Sequence, residues 1–137
     1  MKVEELNDWL QKMDEDGKVG WEKEDFLELN FNDKLAFAVS RFTSQVYNNG
    51  VDGFVYNGYE YLIGFLRSEV AETLNQKWLE DFWDKYEEIL NRAEYYELTR
   101  DELDMDIENF EYKFYKEGYL TELREAAVKY LNNQEYK

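Results

Sequence analysis

The chain has 137 residues, 32 acidic against 16 basic side chains, and a formal net charge of −16, with no histidine, cysteine or proline. That composition excludes a disulfide framework, a cysteine nucleophile, a histidine general base and any zinc or iron centre built on His or Cys. At 44% hydrophobic and 18% aromatic it is too rich in core-forming side chains for a disordered polyanion, and its length suits one domain around one core.

The apolar spacing is helical almost throughout, with no run of period-2 alternation. Val3, Leu6, Leu10 and Met13 predict a first short helix that stops in the turn-forming stretch Asp14 to Gly20. Residues 21–29 predict a second. Asn32 is the expected N-cap of a stronger helix with Leu35, Ala38, Val39, Phe42 and Val46 on one face, ended by Asn48-Asn49-Gly50. Asp52 then caps a short turn over Phe54, Val55 and Tyr56, and Asn57-Gly58 precedes a helix with Tyr61, Leu62, Phe65 and Leu66. Leu79, Phe82, Trp83, Tyr86, Leu90 and Ala93 mark the clearest helix of the chain, with Trp78, Trp83 and Tyr86 expected in the core. Thr99 and Glu102 form a capping box that opens a helix with Leu103, Ile107, Phe110 and Phe114. Gly118 separates it from a last helix with Leu120, Leu123, Ala127, Tyr130 and Leu131, and a polar tail is expected from Asn132. The expected fold is one all-α domain over residues 1–137 with six or seven helices.

Charge divides that domain. Residues 1–31, 32–67, 68–97 and 98–137 carry net charges of −6, 0, −6 and −4, so the neutral central helices are expected at the centre of the fold and the acidic ones around them. Glu80, Asp84, Glu87 and Glu88 share a face opposite the aromatic stripe of their helix, as do Asp101, Asp104, Glu108 and Glu111 opposite Leu103 to Phe114. The pairs Asp81–Lys85, Glu88–Arg92 and Glu125–Lys129 have the favourable i, i+4 order, whereas Glu80, Asp84 and Glu87 have no cation at that spacing. Like charges along a helix cost stability, so stability alone does not account for the rows. Spread over the roughly 7,600 Å² expected for this mass, the excess charge is about one per 480 Å², far sparser than a duplex at about one per 110 Å². Gathered on a third of the surface it reaches about one per 160 Å², so imitation of nucleic acid requires the acidic helices to share a side. The plain alternative is a solvated face that keeps the protein soluble.

The same charge repels phosphate backbones and anionic lipid, so neither nucleic acid nor membrane is an expected partner. The longest uninterrupted apolar stretch is Leu35 to Val39, and the acidic opening Met1 to Glu5 lacks an apolar core for a secretory signal, so a cytoplasmic protein is expected. Asp14, Asp16, Gly17 and Val19 echo part of an EF-hand loop, but Lys12 and Lys23 stand where calcium requires Asp and Glu, and no metal or other cofactor is expected. The glycines Gly50, Gly53 and Gly58 follow no strand and precede no Lys-Ser/Thr, so they form no phosphate loop.

The most distinctive stretch is Gln45 to Asn57. It resembles the signature of a bacterial family of small helical proteins that includes a DNA mimic, Glu-x-x-Asn-Gly-Gly-Phe-x-Gln-aromatic-aromatic-x-Asn. Asn48, Gly50, Phe54 and Asn57 fall on matching positions, while Gln45 replaces the Glu, Asn49 the first Gly, Val51 the Phe, Gly53 the Gln and Val55 the second aromatic. The similarity runs over about residues 30–132. It implies an all-α fold and, for the characterised branch, an acidic surface that occupies the DNA site of a DNA-binding protein. Residues Asn48, Asn49, Gly50, Phe54 and Asn57 are assigned to architecture. The expected function is therefore a non-catalytic acidic protein binding a basic partner, a DNA-binding protein or nuclease, through Glu80, Asp84, Glu87, Asp101, Asp104, Glu108 and Glu111. Two alternatives stand beside it: an immunity or anti-defence inhibitor of a nuclease or toxin, with exposed aromatic anchors, and a small enzyme working with carboxylates alone or with Mg²⁺.

Overall fold

The computed structural model describes residues 5–17, 22–95 and 99–135, and the regular structure among them is entirely helical. The helices are α1 (Leu6–Glu15), α2 (Lys23–Glu28), α3 (Phe31–Tyr56), α4 (63–73), α5 (Trp78–Tyr95), α6 (Arg100–Glu117) and α7 (Tyr119–Glu135). A 3₁₀ turn, Tyr59–Leu62, leads into α4. No helix among the described residues is long and apolar enough to cross a membrane.

Helix α3 is the axis of the fold. Leu35 through Ser40 are six consecutive buried residues, a helix enclosed on all sides, as a neutral segment between acidic ones allows. Around it lie α1, α7, the 3₁₀ turn, α4 and α6. Its start differs from expectation. Asn30, not Asn32, is the cap, and its side chain accepts from the backbone N–H of Asp33 at 2.9 Å, placing Asn32 in the first turn. The buried Asp33 also accepts from the Trp9 indole at 2.8 Å, which ties α1 to α3.

The aromatic residues make the core. Phe42 of α3 lies 5.6 Å from Phe54 and 5.5 Å from Phe82, both edge to face, and 5.6 Å from Trp83. Phe110 and Phe114 of α6 come within 4.9 and 4.8 Å of Phe82, and Tyr119 of α7 stacks on Trp78 at 4.9 Å. Such pairs add to the burial energy of rings this size and fix where α5, α6 and α7 sit.

Three other expectations change. The stretch with Tyr61 to Leu66 is not one regular α-helix: Ile63–Phe65 and Ala71–Thr73 flank a π turn, Leu66–Val70. The buried residues Leu62, Leu66, Val70 and Leu74 recur every fourth position, a spacing that a wider turn keeps on one side. Residues from Asn132 do not form a tail, because α7 continues to Glu135 over a half-buried Asn132. The capping box at Thr99 forms with a variation: the Glu102 N–H donates to Thr99 Oγ1 at 3.2 Å, and the hydroxyl donates to the Glu102 carboxylate at 3.0 Å. Val3, Val19 and Trp21 lie outside the described residues.

Candidate partner-binding face

The stretch Asn48 to Asn57 positions one side of the candidate face. Helical hydrogen bonding does not end at Gly50, as the Asn-Asn-Gly sequence suggests; it resumes at once at Val51. Gly50 adopts φ 76° and ψ 171°, a region open to glycine and hardly to any other residue, and this breaks α3 into two segments. The second segment is not capped by Asp52. Its first N–H, that of Val51, donates to the Glu111 carboxylate of α6, and the Asp52 carboxylate accepts instead from the Tyr86 hydroxyl of α5 at 2.9 Å. Across the break, Gln45 Oε1 accepts from Asn49 at 3.1 Å and from Asn57 at 2.9 Å, while Phe54 is wholly buried. Asn49 and Asn57 thus act through bonds to Gln45, Gly50 through its backbone conformation and Phe54 through burial. Asn48 is exposed and makes none that bears on the break.

The seven carboxylates expected to bind a partner lie on two helices, three on α5 and four on α6. On α5, Asp84 and Glu87 turn toward α4 and both meet Arg67, the Glu87 contact at 2.6 Å. This cation is seventeen and twenty residues away in sequence, which is why i, i+4 spacing does not reveal it. Arg92, on the other edge of α5, bonds Asp106 of α6 at 3.0 Å rather than Glu88, and Lys85 pairs with Glu88 at 3.6 Å rather than with Asp81. The row on α5 therefore faces away from α6.

On α6 the row splits. Glu111 points inward, against Gly50 and Val51, half-buried. Burial pushes its carboxyl above the usual carboxylate range; the Val51 N–H opposes the shift, and Asp52 and Glu108 reinforce it. Asp104 is held 3.6 Å from Arg100. Asp101 and Glu108 are exposed, as is Glu80 on α5, and none of these three has a cation within ion-pair distance among the described residues. Among the described residues, then, three of the seven are surface charges without an ion pair, three are paired and Glu111 is structural.

What the sequence reading missed is apolar. Met105 and Tyr112 on α6 are 64% and 67% exposed, and Tyr56 at the end of α3 is 90% exposed. For Met105 and Tyr112 the available signal was their position off the Leu103–Ile107–Phe110–Phe114 stripe. An open groove of about 600 Å³ runs between the end of α3 and the start of α6, lined by Asp52, Gly53, Val55, Tyr56, Arg100 and Leu103. Its lining brings one carboxylate, already bonded to Tyr86, rather than the convergent pair that carboxylate hydrolysis uses.

Burial also pushes the Tyr86 hydroxyl up, with the Asp52 bond second, so Tyr86 stays a neutral donor at physiological pH. Tyr61, raised to about 12 chiefly by burial, behaves likewise. Comparison of the chain with protein-family models, with curated proteins and with solved structures gives no match.

Proposed function

We propose that this chain is a non-catalytic acidic binding protein that occupies the nucleic-acid-binding surface of a basic protein through the exterior of α5 and α6. The observation that carries this reading is the set of exposed carboxylates Glu80, Asp101 and Glu108, which no cation neutralises among the described residues. Spread evenly, the net charge would come to about one per 540 Å² of the 8584 Å² surface. A DNA-like density therefore needs local crowding, and Asp81, Glu88 and Glu102, exposed on the same two helices, are the further carboxylates that could contribute to it, Glu88 with Lys85 beside it. Lysines and arginines that otherwise hold phosphates would pair with these groups, at a rate and affinity that fall with salt.

The test is capture of basic proteins on the immobilised chain at low salt, followed by elution with duplex DNA, beside the variant Glu80→Lys/Asp101→Lys/Glu108→Lys. DNA-binding proteins released by duplex and by salt, and absent from the variant, support competition. The same proteins on the reversed variant overturn it.

The exposed Met105, Tyr112 and Tyr56 favour a second reading, a specific inhibitor of a nuclease or toxin. Aromatic and Met anchors hold an interface after ionic attraction is screened. A complex that persists in high salt distinguishes this reading from pure charge imitation.

A further inference from the structure

Along α6 the exposed residues Asp101, Met105, Glu108 and Tyr112 follow one another at intervals of four, three and four. That is the spacing of the contact seam of a coiled coil, and residues so placed line up on one side of a helix. The buried face of α6 is complete without them: Leu103, Ile107, Phe110 and Phe114 pack into the core, and Arg92 bonds Asp106 on the edge toward α5. The chain therefore carries a second, solvent-facing seam whose positions alternate between carboxylate and apolar side chain. Lone exposed apolar residues need no explanation, but two of them two turns apart, each preceded by a carboxylate with no ion pair among the described residues, are a pattern.

We infer that this seam is a docking site for one amphipathic helix of a partner protein, with arginine or lysine opposite Asp101 and Glu108 and apolar residues opposite Met105 and Tyr112. The inference rests on the acidic-binding reading above and names the form of the partner. Charge complementarity selects the occupant. A nucleic acid or an anionic membrane meets two carboxylates. A second copy of the chain brings its own Asp101 and Glu108 into the contact, where none of the four seam positions is a cation, on a body of net charge −16. A basic helix satisfies all four positions. From Asp101 to Tyr112 the seam spans about 17 Å, room for three turns of a partner. Tyr112 has a π face for an arginine that strays from the carboxylates, and Met105 is unbranched and adapts to the opposing side chain.

The probe is a pair of alanine-rich synthetic helices of about 14 residues, long enough for four turns. One carries arginine and leucine at alternate seam positions, and the other has glutamate in place of arginine. Amide NMR shifts of the full chain are followed on titration, with the variants Met105→Ala/Tyr112→Ala, which keeps every charge, and Asp101→Lys/Glu108→Lys. All four positions are exposed, so both variants are expected to fold, as far-UV circular dichroism would verify. The arginine helix is expected to shift residues 101–112, the glutamate helix not. Met105→Ala/Tyr112→Ala is expected to weaken binding about tenfold at roughly 0.5 M NaCl, and the charge reversal to abolish it at roughly 0.05 M.

No shift with the arginine helix overturns the seam, as does equal binding of the two helices. So does sedimentation showing a dimer that Met105→Ala/Tyr112→Ala dissolves, since a second copy would then be the occupant. If the apolar variant binds the arginine helix at roughly 0.5 M NaCl as the native chain does, the seam is wrong, and the acidic reading stands so long as charge reversal abolishes low-salt capture of basic proteins. If the charge reversal also captures them, the acidic reading itself has failed.

Discussion

Glu111 is the residue whose position most changes the meaning of the sequence. In the row Asp101, Asp104, Glu108, Glu111 it looks like a fourth surface charge, yet it closes the break in α3 by accepting from Val51. Its folded pKa lies above the ordinary 4.5, so the fold binds that proton more tightly than the unfolded chain does. The stabilisation is complete below about pH 4.5 and is lost as pH rises through the folded value. Replacing Glu111 by Gln keeps an acceptor for the Val51 N–H and removes the charge. In urea unfolding, Glu111→Gln is expected to lose less stability than the native chain as pH rises above about 4.5. Glu111→Ala, which leaves the N–H without its partner, is expected to cost about 1 kcal/mol at neutral pH relative to Gln. A native chain and a Gln variant with parallel pH profiles would refute the assignment. Gly50 gives the complementary test. Alanine there must hold a conformation essentially reserved for glycine, and its Cβ would lie 3.0 Å from the Glu111 carboxylate. Gly50→Ala is expected to lower unfolding stability by roughly 1–3 kcal/mol, and an unchanged midpoint would mean the break is not obligatory.

At the scale of elements, helix ends and helix partners decide what the charges do. Periodicity identified α3, α5, α6 and α7 because their apolar faces are long and regular. It misjudged places where a local sequence has two outcomes. Asn48-Asn49-Gly50 can end a helix or bend one, and the choice depends on whether a distant group receives the next N–H; here Glu111 does. Asn30 and Asn32 both suit a cap, and Asn30 takes the role by bonding the Asp33 N–H. Arg67 shows the same dependence among charges, since its π turn brings it to Asp84 and Glu87 of α5. Both carboxylates are more than half exposed, so the ion pair adds little to stability. Arg67→Ala is expected to lower unfolding stability by less than about 1 kcal/mol while strengthening low-salt capture of basic proteins, because two carboxylates are released. A large stability loss without stronger capture would show that Arg67 organises α4 rather than masking the acidic face.

For the whole molecule, net charge and core pull in opposite directions. A body of charge −16 repels itself, and the interlocked rings of Phe42, Phe54, Phe82 and Trp83 hold it closed. Salt screens the first and leaves the second, so the thermal midpoint is expected to rise as NaCl goes from roughly 0.01 M to roughly 0.15 M. A falling midpoint would mean that favourable ion pairs outweigh the repulsion.

Composition and periodicity alone determined the helical class, the single core, the central place of the neutral segment and the acidic exterior, because these follow from how many apolar groups need burying and at what spacing they recur. Tertiary structure alone decided which carboxylates are free. Whether Glu111 faces water or Val51, and whether Asp84 stands alone or beside Arg67, depends on groups many residues apart in the chain. Helical spacing carries no record of such neighbours until packing brings them within a few ångströms, where burial and charge act.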